Sequence, residues 1–207
     1  MLLNPYELQQ WLNSNTVKGV IHIGAHHCEE KDYYNHFLRV PDSKILWIEG
    51  SQTFIDKARS KYPSARIIQA LCSNVDNGTV EFMITNNEES SSILEFGTHS
   101  HHHPHVVESG RVTMSTITLD TLLHNEDLSG YNMINIDVQG AERLVLEGAN
   151  NVLKNIDAVY AEVNEEELYK GCTLLPEFDK FMQDLGFERV IIKMTQFKWG
   201  DALYIRK

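Results

Sequence analysis

The sequence predicts an α/β protein built on a mainly parallel sheet with helices on both faces. Three observations carry this. Apolar runs of strand length alternate with helix-length segments along the chain, the pattern of parallel strands joined by right-handed crossovers. Three of these runs end in a glycine or a carboxylate: Val20 to Gly24, Ile45 to Glu49 and Met133 to Asp137. Such strand ends are where open α/β sheets bind ligands. Finally, two strands close the chain with no helix between them, so the sheet ends in an antiparallel pair.

The elements follow in order. Asn4-Pro5-Tyr6-Glu7 reads as a helix start, with a capping Asn, Pro in the first turn and Glu three residues on. Leu8, Trp11 and Leu12 then share a face of an N-terminal helix over about residues 4–13. A strand near 19–25 precedes a helix over roughly 28–39. A strand at about 44–49 precedes a helix from Gln52 to Lys61, and a third strand lies near 65–71. Asp76-Asn77-Gly78 is a turn, and Thr79 to Thr85 alternates as a strand. Residues 86–110 are polar, rich in Ser and His and without a period; an inserted loop of this length in a compact domain is functional or disordered. Alternation resumes from Arg111 to Leu119. The fourth main strand is about 133–138, and Gly140 opens a helix with Ala141, Leu144, Val145 and Ala149 on one face. A fifth strand runs from Asp157 to Val163. Pro176 opens the last helix, with Phe178, Phe181, Met182 and Leu185 as its buried stripe and Gly186 as its stop. Phe187 to Lys193 and Asp201 to Arg206 are the closing strands.

At 207 residues the chain reads as a single domain, residues 1–207, and its hydrophobic fraction of 42% is that of a globular protein. The net charge of −11 argues against non-specific binding to nucleic acid or to an anionic membrane surface. No apolar run reaches transmembrane length, and residues 1–13 lack the basic and apolar regions of a signal peptide. Cys28, Cys72 and Cys172 are widely spaced and contain no CxxC pair, so neither a disulfide framework nor a zinc knuckle is expected, and the reading is a reducing compartment, the cytoplasm.

Gly24, Glu49 and Asp137 at three strand ends point to a nucleoside-containing cofactor. A glycine after the first strand lets the backbone approach a ligand closely, although by itself it is equally a plain strand-to-helix turn. Ala25, His26, His27 and Cys28 follow it, so there is no GxGxxG and no second glycine for a pyrophosphate. Glu49, where the second strand leaves the core, is placed to accept both ribose hydroxyls. Asp137 either orients the cofactor and acceptor or caps the following helix. Asn135 shares its side of the strand, and Glu162 and Asn164 end the next strand in the same way, so acids from neighbouring strands converge. Among ten histidines, His99, His101, His102, His103 and His105 cluster. They read as a metal site, as a general base, or as a polar surface loop. No ligand set is assigned, and activity is expected to survive chelation.

Together these residues resemble the FkbM-like family of S-adenosylmethionine-dependent methyltransferases, from about Gly19 to Arg206. The matching motifs are Ile21 to His26, Ala70 to Ser73 with Asp76-Asn77-Gly78, Ser90 to Leu94, Thr118-Leu119-Asp120, Ile136 to Glu142, Glu162-Val163-Asn164 and, more weakly, Trp199 to Ala202. The resemblance implies the Rossmann-like class I methyltransferase fold, a seven-stranded, mainly parallel sheet of order 3-2-1-4-5-7-6 with an antiparallel C-terminal strand. It implies S-adenosylmethionine as cofactor. Gly24 and Ala25 would meet its methionine end with His26 beside them, and Glu49 with Gly50 and Ser51 would hold the ribose. Ala70 and Leu71 would border the adenine, and Asp137 would lie between methionine and acceptor. Two departures stand out: His22 occupies the place of a frequent acid, and Cys28 that of a frequent glycine. By the resemblance the activity is O-methylation of a sugar hydroxyl, on a glycan or glycosylated metabolite. Asp137, His105 and Glu162 are the candidate bases, and Ser91, Ser92 and the histidine loop would cover the acceptor. The alternatives are a nucleotide-dependent oxidoreductase and a non-catalytic glycan-binding domain.

Overall fold

The computed structural model describes residues 1–12 and 16–207. Its first helix, α1 (Pro5–Leu8), begins with the expected capping box: Asn4 Oδ1 accepts from the Tyr6 and Glu7 amides, each at 3.0 Å, and Glu7 Oε2 accepts from the Asn4 amide at 2.7 Å. The helix is shorter than expected, and residue 13 lies outside the described residues. Leu8 and Leu12 are buried as expected, whereas Trp11 is exposed.

Seven strands form the main sheet. They are β1 (Val20–Ile23), β2 (Ile45–Glu49), β3 (Arg66–Gln69), β7 (Met133–Ile136), β8 (Ala158–Asn164), β9 (Phe187–Met194) and β10 (Trp199–Arg206), in the order β3-β2-β1-β7-β8-β10-β9. With these seven counted alone, that is 3-2-1-4-5-7-6. The pairings from β3 to β8 are parallel, and β10 runs antiparallel to both β8 and β9. The mixed α/β sheet is thus the one the sequence implied. β1, β2 and β7 are buried throughout because apolar side chains cover both faces, which is why they read as apolar runs without alternation. On one face Ile21, Ile23, Ile134 and Ile136 pack with α6 (Glu142–Glu147) and α7 (Leu175–Asp184). On the other, Val20, Trp47 and Met133 pack with Leu8, with Tyr34 of α2 (Lys31–His36) and with Ile55 and Ala58 of α3 (Gln52–Lys61).

Four boundaries differ from the sequence reading, for local backbone reasons. The helix expected over 28–39 is confined to α2, because His26 (φ 43°), Cys28 (φ 59°) and Arg39 (φ 56°) are left-handed and cannot propagate an α-helix. Gly140 does not open α6. Gln139 (φ 54°) and Gly140 (φ 95°) make a left-handed turn, and the helix begins at Glu142 with Ala141 as N-cap; Asp137 therefore does not cap it. The third main strand stops at Gln69. After Ala70 the chain leaves the sheet as β4 (Leu71–Cys72) and pairs with β6 (Glu108–Ile117) in a second, three-stranded sheet completed by β5 (Thr79–Thr85). Residues 86–110 are also more ordered than a plain loop. They carry α4 (His99–His102), bridges from Met83 to Ser92 and from Phe96 to Tyr169, and the start of β6. The short helix α5 (Leu119–Leu122) then leads back to β7.

Candidate active site

The parallel strands point their C-terminal ends at one edge of the sheet, and a cavity of about 580 Å³ opens there, roofed by residues 87–106. That size suits a cofactor together with a small acceptor. Gly24 ends β1 at φ 80°, and a Cβ on it would lie 1.8 Å from the carbonyl oxygen of Asp137. Only glycine permits this contact between the β1 and β7 loops. Cys28, at a position where the family resemblance expects glycine, adopts a glycine-like φ of 59°.

Glu49 ends β2 and is buried at the cavity wall. Its Oε2 accepts from the His26 amide and its Oε1 from the Ser51 amide, each at 2.8 Å. Burial pushes its carboxyl up, and those amides pull it back. Gly24, His26, Gly50, Ala70, Leu71 and Asp137 line the same cavity. Ala25 and Ser51 lie behind the wall: the Ala25 amide bonds the Ile48 carbonyl at 3.1 Å, and the Ser51 side chain caps α3.

Asp137 and Glu162 meet at the ends of β7 and β8. Gln139 Nε2 donates to Asp137 Oδ1 at 2.7 Å and to Glu162 Oε2 at 3.2 Å. Gln139 Oε1 accepts from the Tyr169 hydroxyl at 2.6 Å, and its carbonyl accepts from Ser92 Oγ at 2.8 Å. Glu142 Oε1 takes the amides of Val138 (3.0 Å) and Gly140 (3.1 Å), so its carboxylate closes the turn that presents Asp137. Asp137 lines the cavity and is exposed there, unlike the buried Glu142 and Glu162 beside it. Burial, with repulsion from Asp201 and Glu30, pushes it up to about 6. Burial and Asp137 push Glu142 up to about 7, and burial followed by Asp137 and Glu142 drives Glu162 well above the usual carboxylate range. Protons at this edge are therefore shared among the carboxyls near neutral pH.

The sequence reading did not single out Gln139, Tyr169, Glu142 or Asp201 as site residues. Asp201 faces Glu162 across the β8–β10 register, and the Tyr160 hydroxyl donates to its Oδ2. Nothing local marks such partners, although Gln139, Glu142 and Asp201 all stand inside motifs quoted for the family resemblance. His22, at the place of a frequent acid, is buried and held neutral, with Nδ1 3.0 Å from the Tyr34 hydroxyl. The histidine cluster divides. His99 is buried, stacked on Phe96 at 4.3 Å, and its Nδ1 has no hydrogen-bond partner; burial lowers it to about 4. His103 and His105 also line the cavity, but His105 is exposed at the mouth. Ser90 and Ser91 line it too, and Ser91 Oγ donates to the Glu88 carbonyl at 2.7 Å.

Among the described residues, two groups bring potential metal-ligand atoms within 4.8 Å of one another: His26, His27 and Glu88, and Asp137, Glu142 and Glu162. Each already holds a compensating donor. Lys57 Nζ sits 2.6 Å from both oxygens of Glu88, and the Gln139 amide bridges Asp137 and Glu162.

A glycine cradle, a buried strand-end carboxylate beside it and acids on the next strand ends thus line one cavity at the strand-end edge of the sheet. The family model for the methyltransferase FkbM domain matches residues 22–189, and the chain belongs to that family. That family is one of methyltransferases, which speaks against the oxidoreductase reading. Two curated relatives are more distant. The 2-O-methyltransferase NoeI of Sinorhizobium fredii is 29% identical over 52% of this chain and 50% of its own length. The hexuronic acid methyltransferase AglP of Haloferax volcanii is 33% identical over 37% of this chain and 30% of its own. The aligned regions thus span half or less of either relative. A methyltransferase FkbM structure from Methylobacillus flagellatus KT superposes with a TM-score of 0.58 at 12% identity, covering 98% of this chain and 50% of that one; at that identity the likeness is one of fold.

Proposed function

We propose that this chain is an O-methyltransferase acting on a sugar hydroxyl of a glycan or glycosylated metabolite. The observation that carries the reading is the Asp137–Gln139–Glu162 bridge beside Gly24, which sets a proton-accepting group next to the glycine cradle in one cavity. The relatives' names support the type of bond and the class of acceptor, one being a 2-O-methyltransferase and the other acting on hexuronic acid.

The residues present fit S-adenosylmethionine. Gly24 leaves room for close backbone approach, Glu49 is a buried acceptor for ribose hydroxyls, and Asp137 offers negative charge to a cationic group. When bound, the cofactor supplies an electrophilic methyl group. The rest of the work falls to this chain. The acceptor hydroxyl must lose its proton, and a positioned base contributes about 10²–10⁴ in rate. Asp137 is that base: held near pKa 6, it is largely ionised at neutral pH and takes the proton on a carboxylate oxygen. Glu162, driven much higher, holds a proton and shares the Gln139 amide. Gln139 is the positioning residue, fixed by Tyr169 and Ser92. His105, at the mouth, contacts the acceptor rather than the reacting oxygen, and the serines and histidines of residues 90–105 exclude water over it.

The test is mass gain on unmethylated glycosides incubated with the protein and S-adenosylmethionine, with and without EDTA. Transfer of one methyl group to a sugar oxygen, undiminished by the chelator, is expected. Cofactor binding without transfer to any acceptor would favour the glycan-binding alternative.

A further inference from the structure

The cavity wall is lopsided in charge. Eight of its described lining residues are Asp or Glu, and none is Lys or Arg. The cofactor accounts for some of this, since Glu49 and Asp137 lie where its ribose and cationic centre are placed. The acids nevertheless continue past it. Moving along the sheet from Gly24 on β1, Asp137 ends β7, Glu162 ends β8 and Asp201 faces Glu162 from β10. The nearby cations are already matched: Lys57, which does not line the cavity, pairs with Glu88, and the Met1 amino group lies 3.6 Å from Glu30. Beside the acids the wall carries uncharged aromatic rings. The neutral His99 ring lies 5.4 Å from Tyr169 with its buried Nδ1 unpartnered, and Trp199 lines the same space.

We propose that the acceptor end of this cavity selects by charge, taking a sugar with no carboxylate or phosphate on the reacting ring and rejecting the corresponding uronate. An anionic ring would bring like charge against Asp137 and Asp201 with no guanidinium in the wall and with the Met1 ammonium already held by Glu30, and like-charge juxtaposition is a strong device of specificity. A neutral ring instead sets its hydroxyls against the carboxylates, lays its C–H face on the aromatic wall and offers a hydroxyl proton to His99 Nδ1. The preference separates this site from the hexuronic acid named for the Haloferax volcanii relative. It rests on the sugar-acceptor reading above.

The experiment uses methyl hexosides of the gluco, galacto and manno series and the matching methyl hexuronosides. Each is titrated by calorimetry into the protein saturated with S-adenosylhomocysteine, and each is assayed for methyl transfer. At least one neutral glycoside is expected to bind about 100-fold more tightly than its uronate. Asp201→Asn is expected to raise uronate affinity at least about tenfold relative to the neutral partner. Should that variant fail to fold, the ratio of the wild-type affinities for the neutral glycoside and its uronate decides. Equal or tighter uronate binding overturns the charge selection while leaving sugar methylation standing. No binding or transfer with any sugar of either charge overturns both.

Discussion

Single residues set the site's geometry. Gly24 is irreplaceable for two separable reasons, its φ of 80° and the 1.8 Å approach that a Cβ would make to the Asp137 carbonyl. Gly24→Ala is expected to lose S-adenosylhomocysteine binding and to lower Tm, because left-handed backbone strain of about 1–2 kcal/mol adds to a backbone clash. A thermal melt with and without ligand checks this, and an unshifted melt with full binding would refute it. Glu49 separates from Gly24 cleanly, since its carboxylate rather than its backbone is at stake. Glu49→Ala is expected to weaken S-adenosylhomocysteine by about 1.5–3 kcal/mol, roughly 10- to 150-fold, as charge-assisted hydrogen bonds disappear. Unchanged affinity by calorimetry would place the ribose elsewhere.

At the scale of elements, we propose that the strand ends hold the cofactor and the inserted segment the acceptor. The strand ends carry Gly24, Glu49 and Asp137, whereas α4 and its flanks carry His99, His103 and His105, which line the same cavity. His99→Ala and His105→Ala together are expected to raise the acceptor KM several-fold and to leave S-adenosylhomocysteine affinity within about twofold, ~0.4 kcal/mol. The opposite pattern, weakened cofactor and normal acceptor kinetics, would assign this segment to the cofactor. Segment boundaries were legible in sequence where burial or a cap is local. Ser51 and the stripe Phe54, Ile55, Ala58 mark α3 without help. They were not legible where the backbone turns left-handed at residues other than glycine, as at Gln139 and Cys28, because side-chain type there gives no sign of the conformation.

For the whole molecule, the shared carboxyls make stability depend on pH. Glu142, pushed up to about 7 by burial and by Asp137, is protonated in the folded protein at pH values where the unfolded chain is already ionised. The unfolded state therefore binds fewer protons between about pH 4.5 and 7, and stability falls as pH rises through that window. Between pH 5.5 and 8 the ligand-free protein is expected to lose several degrees of Tm relative to Glu142→Gln, which lacks this contribution; the buried neutral His22 and His99 act in the opposite sense and are common to both proteins. Equal Tm slopes in the two proteins would contradict the raised carboxyl. Bound S-adenosylmethionine, by setting positive charge beside Asp137, should flatten the slope. Among the described residues no helix is long and apolar enough to cross a membrane.

The sequence by itself determined the class of sheet, its antiparallel close and the strand ends that carry Gly24, Glu49, Asp137 and Glu162. Those properties follow from local hydrophobic runs and from the place where each run meets its first polar residue. Its motifs also pointed to the family. Only the tertiary structure decided that Gln139 bridges Asp137 to Glu162, that Tyr169 holds Gln139, that Asp201 stands opposite Glu162, and that His99 is buried while His105 is exposed. Apart from the local Asp137–Gln139 bond, those are contacts between residues 23 or more positions apart, or differences of burial within one polar segment. They arise from strand register and from the packing of the inserted segment, neither of which leaves a periodic trace in the chain.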